Sequence, residues 1–330
     1  MTDRQMLPTR TLRTGRAVTE LGLGGAQFGN LFTETTDEKS QRAVAAALEQ
    51  GIEYFDTAPH YGLGLSERRL GRALRDVERD DVLISSKVGR LLVDSPETAD
   101  RLDDDGFVVP ADRRRVWDFS RDGILRSVEE SLERIGTDHL DIAYLHDPDD
   151  HWQEASTSGI GALLELRDQG VVGAIGAGMN QSAMLAKFVE QTDVDVVMVA
   201  GRFTLLDQSA LADLLPLAHR RGVAVVAAAV YNSGLLSSAT IDKAAHYDYG
   251  AAPRDVIERA EKLAEVCARY DVSLPAAAIQ YPLRHPAVVS VVTGMRTEAQ
   301  VRSTVSRYHA PIPEALWQEL DASGLAPDPS

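Results

Sequence analysis

From residue 50 onward, short runs of apolar, largely β-branched residues alternate with stretches whose apolar positions recur every three to four residues. An unbroken apolar run suits a strand covered on both faces, and its alternation with amphipathic helices is the pattern of parallel βα units. The runs predict strands over residues 21–24, 53–56, 82–87, 140–145, 171–176, 194–199, 223–229 and 288–292. Helices are predicted over 39–50, 66–74, 122–135, 160–169, 181–191, 211–221, 254–270 and 297–306. In the third of these, Ile124, Leu125, Val128, Leu132 and Ile135 share one face, and Gly136 supplies the left-handed residue that ends the helix. Strict alternation of this kind predicts the α/β class and a (β/α)8 TIM barrel, with a small hairpin across 11–21 capping one end. No linker-like composition break interrupts 1–330, so one domain is expected. Two connections, 90–119 and 231–253, are long for a compact domain and follow strands at the end where barrel sites assemble.

Composition narrows the partners. The 330 residues carry 34 Lys plus Arg against 50 Asp plus Glu, a formal charge of −16 that repels phosphate backbones and anionic lipid. No nucleic acid and no membrane surface is therefore expected as a partner, and a small-molecule substrate is. The only cysteine, Cys267, allows no intrachain disulfide and no multi-cysteine metal site. The start, MTDRQMLPTRTLRTG, lacks the apolar run of a signal peptide, and no stretch nears the ~18 apolar residues of a membrane span, so a cytoplasmic location is expected.

Candidate chemistry concentrates where buried runs stop. Asp56 ends one predicted strand, Tyr61 follows in a Gly-rich turn, Lys87 ends the next strand and His146 the one after. Taken singly, Asp56 could close a turn, Tyr61 pack on the surface, Lys87 end a solvated strand and His146 be a satisfied core imidazole. Successive strand ends lie side by side around a barrel rim, so the four would converge on one pocket, and that convergence is specific. An ammonium near a phenol favours the phenolate, so Lys87 is expected to lower the proton affinity of Tyr61; Asp56 would supply the counter-charge that a buried ammonium needs. A neutral His146 could orient a carbonyl or hydroxyl oxygen. His60 and Asp147 stand beside the set as supporting or exposed groups. No nucleophile or redox centre is evident, which leaves redox work to a cofactor. A Rossmann fingerprint fails at its third glycine, replaced by Gln27, Glu67 or Gln181, and the eight histidines form no H-x-H or H-E-x-x-H, so no metal site is expected.

Through FDTAPHYGLGLSERRLG, SSKVG and DIAYLHD, in that order across nearly the whole chain, the sequence resembles the aldo-keto reductase superfamily. The resemblance implies a (β/α)8 barrel that uses NAD or NADP without metal, with Tyr61 as proton donor or acceptor and Asp56, Lys87 and His146 as its partners. It implies that Asn180, in GAGMN, holds the carboxamide of the cofactor. It places Asn232, Ser233, Gly234 and Leu235, in VYNSGLL, at the pyrophosphate, and Gly294, Arg296, Thr297 and Gln300 around the adenosine half. Backbone N–H groups at a Gly-rich helix entry suit phosphate in any fold. Arg296 would suit the 2′-phosphate of NADP, an adenine ring or solvent. Met179, Ala200 and Ala228 depart from the residues many members place around the nicotinamide. The segments AGRFTLLDQ and NSGLL resemble the sugar-oxidising branch, aldose (L-fucose type) 1-dehydrogenases with pyridoxal 4-dehydrogenase nearby. That implies oxidation of an aldose at C1 to its lactone; pyridoxal oxidation, general aldehyde or ketone reduction, and a cofactor-binding regulatory subunit with little turnover remain the alternatives. Trp117, Trp152, Phe203 and Tyr247 fall in predicted rim loops, where flat aromatic faces would bind a sugar or pyridine ring.

Overall fold

The structure is a computed structural model that describes residues 6–242, 244–248 and 250–330. Eight parallel strands close into a barrel: β1 (Leu21–Gly24), β2 (Tyr54–Asp56), β3 (Leu83–Val88), β4 (Leu140–His146), β5 (Val172–Met179), β6 (Val196–Ala200), β7 (Ala224–Ala228) and β8 (Val288–Gly294). Each predicted strand is present, with ends shifted by one to three residues at most positions. The ring closes where β8 pairs with β1, Val292 opposite Gly22 and Gly294 opposite Gly24.

Inward-pointing side chains fill the barrel: Tyr54, Leu83, Ile142, Tyr144, Ala174, Val196, Met198 and Val226 form one buried cluster. Gly22 leaves room for the largest of them, since a Cβ there would lie 2.8 Å from Cδ1 of Tyr54. The predicted hairpin is Thr9–Thr11 paired antiparallel with Ala17–Thr19, and it contributes Leu12 and Val18 to the same cluster, which stoppers the N-terminal mouth. Arg13 in its turn reaches Asp195 at 2.7 Å, and Arg167 meets the same carboxylate at 2.9 Å, which ties hairpin to barrel.

The helices α1 (Asp37–Glu49), α2 (Leu65–Leu74), α3 (Arg121–Ile135), α4 (Ile160–Asp168), α5 (Ser182–Gln191), α6 (Leu214–Arg221), α7 (Arg254–Arg269), α8 (Leu274–Gln280), α9 (Glu298–Tyr308) and α10 (Glu314–Ala322) form the outer layer. Their ends follow local chemistry. Thr36 caps α1 by accepting from the N–H of Lys39, Ser120 caps α3 through the N–H of Gly123, and Gly136 ends α3 at φ 78°. Two helices were not expected from the pattern: α8, which opens with Pro275 in its first turn, and α10, which follows α9. Each long connection carries a short ribbon of its own. Arg90–Asp94 pairs antiparallel with Arg113–Trp117, and His246–Tyr247 with Gly250–Ala251. Among the described residues no helix is long and apolar enough to cross a membrane.

Candidate active site

The C-terminal ends of β2, β3 and β4 deliver Asp56, Lys87 and His146 to one place, and the turn after β2 adds Tyr61. That turn is pinned from several sides. Ser66 Oγ donates to Gly25 O at 2.7 Å and lies 2.8 Å from Thr57 Oγ1. Glu67, fully buried, accepts from Ser86 Oγ at 2.7 Å and pairs with Arg134 at 2.5 Å. The buried guanidinium of Arg69 donates to Phe28 O, Asn30 Oδ1 and Thr35 O, each at 2.7 Å, and pairs with Asp37 at 2.8 Å. The run SERR in the motif is thus largely an anchoring device.

Above these anchors the backbones of Gly29 and Gly62 cross in contact. A Cβ on Gly29 would sit 2.5 Å from the carbonyl carbon of Tyr61, and one on Gly62 would sit 2.3 Å from Gly29 O. Gly29→Ala must therefore push Tyr61 outward. A displacement near 1 Å of a reacting group costs on the order of 10²-fold in rate, so we expect that loss in kcat with an unchanged circular dichroism spectrum. A wild-type rate in Gly29→Ala would show that the crossing does not position Tyr61.

Lys87 Nζ donates to Asp56 Oδ2 at 2.7 Å and to Thr57 O at 3.0 Å, and it lies 4.7 Å from the centre of the Tyr61 ring. The Tyr61 and His146 rings meet edge to face at 6.1 Å, and His60 closes the group at 5.4 Å from His146. Below Asp56 a chain of buried hydroxyls runs down the barrel: Ser85 Oγ is 2.7 Å from Asp56 Oδ1, Tyr54 Oη 3.1 Å from Ser85 Oγ and Tyr144 Oη 3.3 Å from Tyr54 Oη. Ser85 has one proton and Asp56 Oδ1 has none to give when ionised, so Ser85 donates to Asp56, Tyr54 to Ser85, and Tyr144 to Tyr54.

Lys87 pulls the Tyr61 pKa down, as expected, but burial outweighs that pull and raises it, so the phenol is protonated at neutral pH. Lys87 is buried too, yet Asp56 and then Tyr61 outweigh the burial and raise its pKa. Burial, followed by the charge of Arg90, holds His146 well below its ordinary value; the same causes lower His60 to about 2. Both imidazoles are neutral in the folded chain, whereas in the unfolded chain they take up protons near pH 6.5. A folded pKa depressed in this way means that stability present at neutral pH is lost as pH falls below about 6.5, by about 1.4 kcal/mol per pH unit for each histidine. We expect urea midpoints to drop between pH 7 and 5, and His60→Asn to lose about half of that extra slope; an unchanged slope would sink the account.

At the mouth of the site, Arg90 stacks 4.2 Å over Trp117, pairs with Asp147 and approaches His60 Nδ1 at 3.2 Å. Asp147 stands 3.6 Å from His146 Nε2, while His146 Nδ1 is buried with no partner. Trp117 is the rim aromatic that the structure brings to this group. Trp152 instead packs on Phe188 at 4.8 Å with Lys187 over its ring, and Phe203 is buried between Tyr281 and His285. Phe203 presents no free face for a substrate, because tertiary packing has claimed its ring, whereas Trp152 is half-buried with Lys187 over its ring. Tyr247, in the connection after β7, donates to Asp207 in the connection after β6 at 3.2 Å.

On the other side of the mouth, Asn180 follows β5 and is half-buried. Asn232 is buried, donates to Gly201 O at 3.3 Å and leaves its Oδ1 without a partner. The backbone curls through left-handed φ values of 46°, 58° and 95° at Asn232, Ser233 and Gly234. The N–H groups of Gly234 and Leu235 are spent inside this curl, on Tyr231 O and Asn232 O, so they are not the free donors expected for phosphate. Thr297 caps α9, Gln300 Oε1 accepts from the N–H of Arg296 at 2.7 Å, and Arg296 donates to Leu31 O while its Nε is buried without a partner. Gln27, which the sequence pattern did not single out, crowds Gly294: a Cβ there would be 2.3 Å from its amide, whose Oε1 is another orphan. Unspent polar atoms on the segments after β1, β7 and β8 suit a long, many-oxygened ligand such as a dinucleotide. Among the described residues no group of three or more His, Cys, Asp or Glu is placed to hold a metal ion.

Residues 20–324 match the Aldo/keto reductase family. The chain is 45% identical to D-threo-aldose 1-dehydrogenase of a Pseudomonas species, covering 96% of this chain and 97% of that protein. It is 37% identical to pyridoxal 4-dehydrogenase of Microbacterium luteolum, over 95% and 96% of the two chains. Among solved structures, the holo form of an aldo-keto reductase from Bacillus halodurans superposes with a TM-score of 0.76 at 27% identity, covering 97% and 96% of the two chains. Barrel, strand-end polar groups and sequence agree: the chain belongs to the aldo/keto reductase family and is an oxidoreductase.

Proposed function

We propose that the chain, a one-domain barrel, oxidises the C1 hydroxyl of a cyclic aldose to the lactone, with NAD or NADP as the electron acceptor. The observation that carries this reading is the convergence of Tyr61, Lys87, Asp56 and His146 at the C-terminal mouth; the similarity to D-threo-aldose 1-dehydrogenase supports the sugar. A bound nicotinamide would supply the redox chemistry, as the acceptor for the C1 hydride. Asn180, Asn232, Ser233, Arg296, Thr297, Gln300 and Gln27 would hold the dinucleotide, through the orphaned atoms described above and the N-terminus of α9.

The chain's own part is proton handling. Neutral His146 orients the C1 oxygen with the ring nitrogen it has not spent. Tyr61 Oη receives the C1 hydroxyl proton in oxidation and returns it in carbonyl reduction. Lys87, kept charged by Asp56, stabilises the phenolate that must precede proton acceptance. Trp117, under Arg90, offers a flat edge to the sugar ring at the mouth.

The test is absorbance in the reduced-nicotinamide band with NAD and NADP in turn, against free aldoses, pyridoxal and simple aldehydes. Aldoses should give signal. Because the phenol is protonated at neutral pH, the oxidation rate should climb as pH rises toward the Tyr61 pKa, while carbonyl reduction, which uses the protonated form, stays flat over the same range. Signal confined to aldehydes with reduced cofactor would replace this reading by a general carbonyl reductase. Tight cofactor binding with silence across the panel would favour a regulatory subunit.

A further inference from the structure

On the outer wall of the barrel, α2, α3 and the ribbon formed by Arg90–Asp94 and Arg113–Trp117 enclose an open cleft of about 730 Å³ that none of the four converging residues lines. Six arginines line it, Arg68, Arg72, Arg75, Arg113, Arg126 and Arg134, against three carboxylates, Asp94, Glu130 and Glu133. In a chain of net charge −16 such a local excess of cations runs against composition.

Three of the six are committed. Arg134 pairs with Glu67 at 2.5 Å, Arg126 with Glu130 at 2.7 Å and Arg72 with Asp37 at 2.5 Å. The other three are not. Among the described residues, the guanidinium groups of Arg68 and Arg75 meet no hydrogen-bond or ion-pair partner, and Arg113 is held only loosely, 3.7 Å from the exposed Asp94. Arg68 is also half-buried. Burial, and after it the like charges of Arg113 and Arg134, weaken its hold on its proton, and the smaller opposing pull of Glu67 does not reverse that. A partly desolvated cation among cations is costly unless an anion arrives to pair it.

The spacing selects the anion. Arg68 and Arg75 are two turns apart on one helix, so about 10 Å separates their backbones, and Arg113 faces them from the ribbon. Two joined phosphates spread their oxygens along a span of that order and so suit forks set apart along the cleft, and guanidinium forks match phosphate oxygens bidentately. The volume is that of a small-molecule site. We propose that this cleft binds a small ligand of the diphosphate class, with Arg68 as the inner contact and Arg75 and Arg113 closing on it from α2 and from the ribbon.

The probe is inorganic pyrophosphate, titrated calorimetrically into the full chain saturated with nicotinamide cofactor, so that the dinucleotide site is occupied, with sodium chloride of matched ionic strength as the reference. One further site is expected. Arg68→Gln should weaken it at least tenfold, and Arg75→Gln, at an exposed position with no partner to lose, should weaken it severalfold without touching the fold. No heat above the salt reference, or equal affinity in both variants, would overturn the proposal. Orthophosphate binding as tightly as pyrophosphate would overturn the diphosphate class.

Discussion

Tyr61→Phe should retain nicotinamide binding and lose 10²- to 10⁴-fold in turnover, the range a positioned acid-base group contributes. The substitution removes one oxygen and leaves the ring, so the contacts to Phe107 and His146 survive. Lys87 keeps Asp56 at 2.7 Å and Thr57 O at 3.0 Å, so no buried charge is stranded and the fold should hold. Cofactor affinity read from protein fluorescence, beside kcat for the best aldose, separates the two effects. Turnover within tenfold of the wild type would remove Tyr61 from proton transfer.

Lys87→Met should cost both rate and stability. It leaves the buried Asp56 carboxyl without its ammonium partner and with Ser85 as the remaining side-chain donor, and breaking a buried pair from one side costs about 3–5 kcal/mol. Urea unfolding should show a loss of that size. Converting the partner as well, in Asp56→Asn with Lys87→Met, should recover most of the stability and none of the turnover, because the double variant has no stranded charge and also no cation beside Tyr61. In the single variant the alkaline rise of the oxidation rate should move to still higher pH. A rise left in place would mean that Lys87 does not assist ionisation of Tyr61.

Much of this was legible in the sequence, for a physical reason. Residues 82–87 and 140–145 are largely apolar runs that stop at a charged or polar residue, and in a barrel a strand end has one destination, so the sequence alone places Lys87 and His146 together. The Asp56–Lys87 contact followed from the cost of burying an ammonium alone. The balance between burial and Lys87 at Tyr61 did not follow, because its sign depends on how completely the ring is enclosed. Nor could loop position reveal that Phe203 would be buried against Tyr281, a residue 78 positions later. Nothing in the sequence marks Ser85 and Tyr54; their hydroxyls acquire meaning only through partners 29 and 31 residues away. The helix α8 was hidden because LPAAAIQ is short and opens on proline, which reads as a turn.

Those hydroxyls bear on how the barrel core can be rewritten. Tyr144, Tyr54 and Ser85 point their O–H dipoles the same way, toward Asp56, so part of the interior is wired to the reacting end rather than merely filling space. Phenylalanine for either tyrosine conserves volume almost fully and would pass any filter based on packing. A repacking campaign that treats this core as interchangeable apolar mass would therefore gather well-packed barrels in which Ser85 still donates to Asp56 but without the aligned tyrosine dipoles behind it, and the damage would register in the rate and pH profile rather than in the packing.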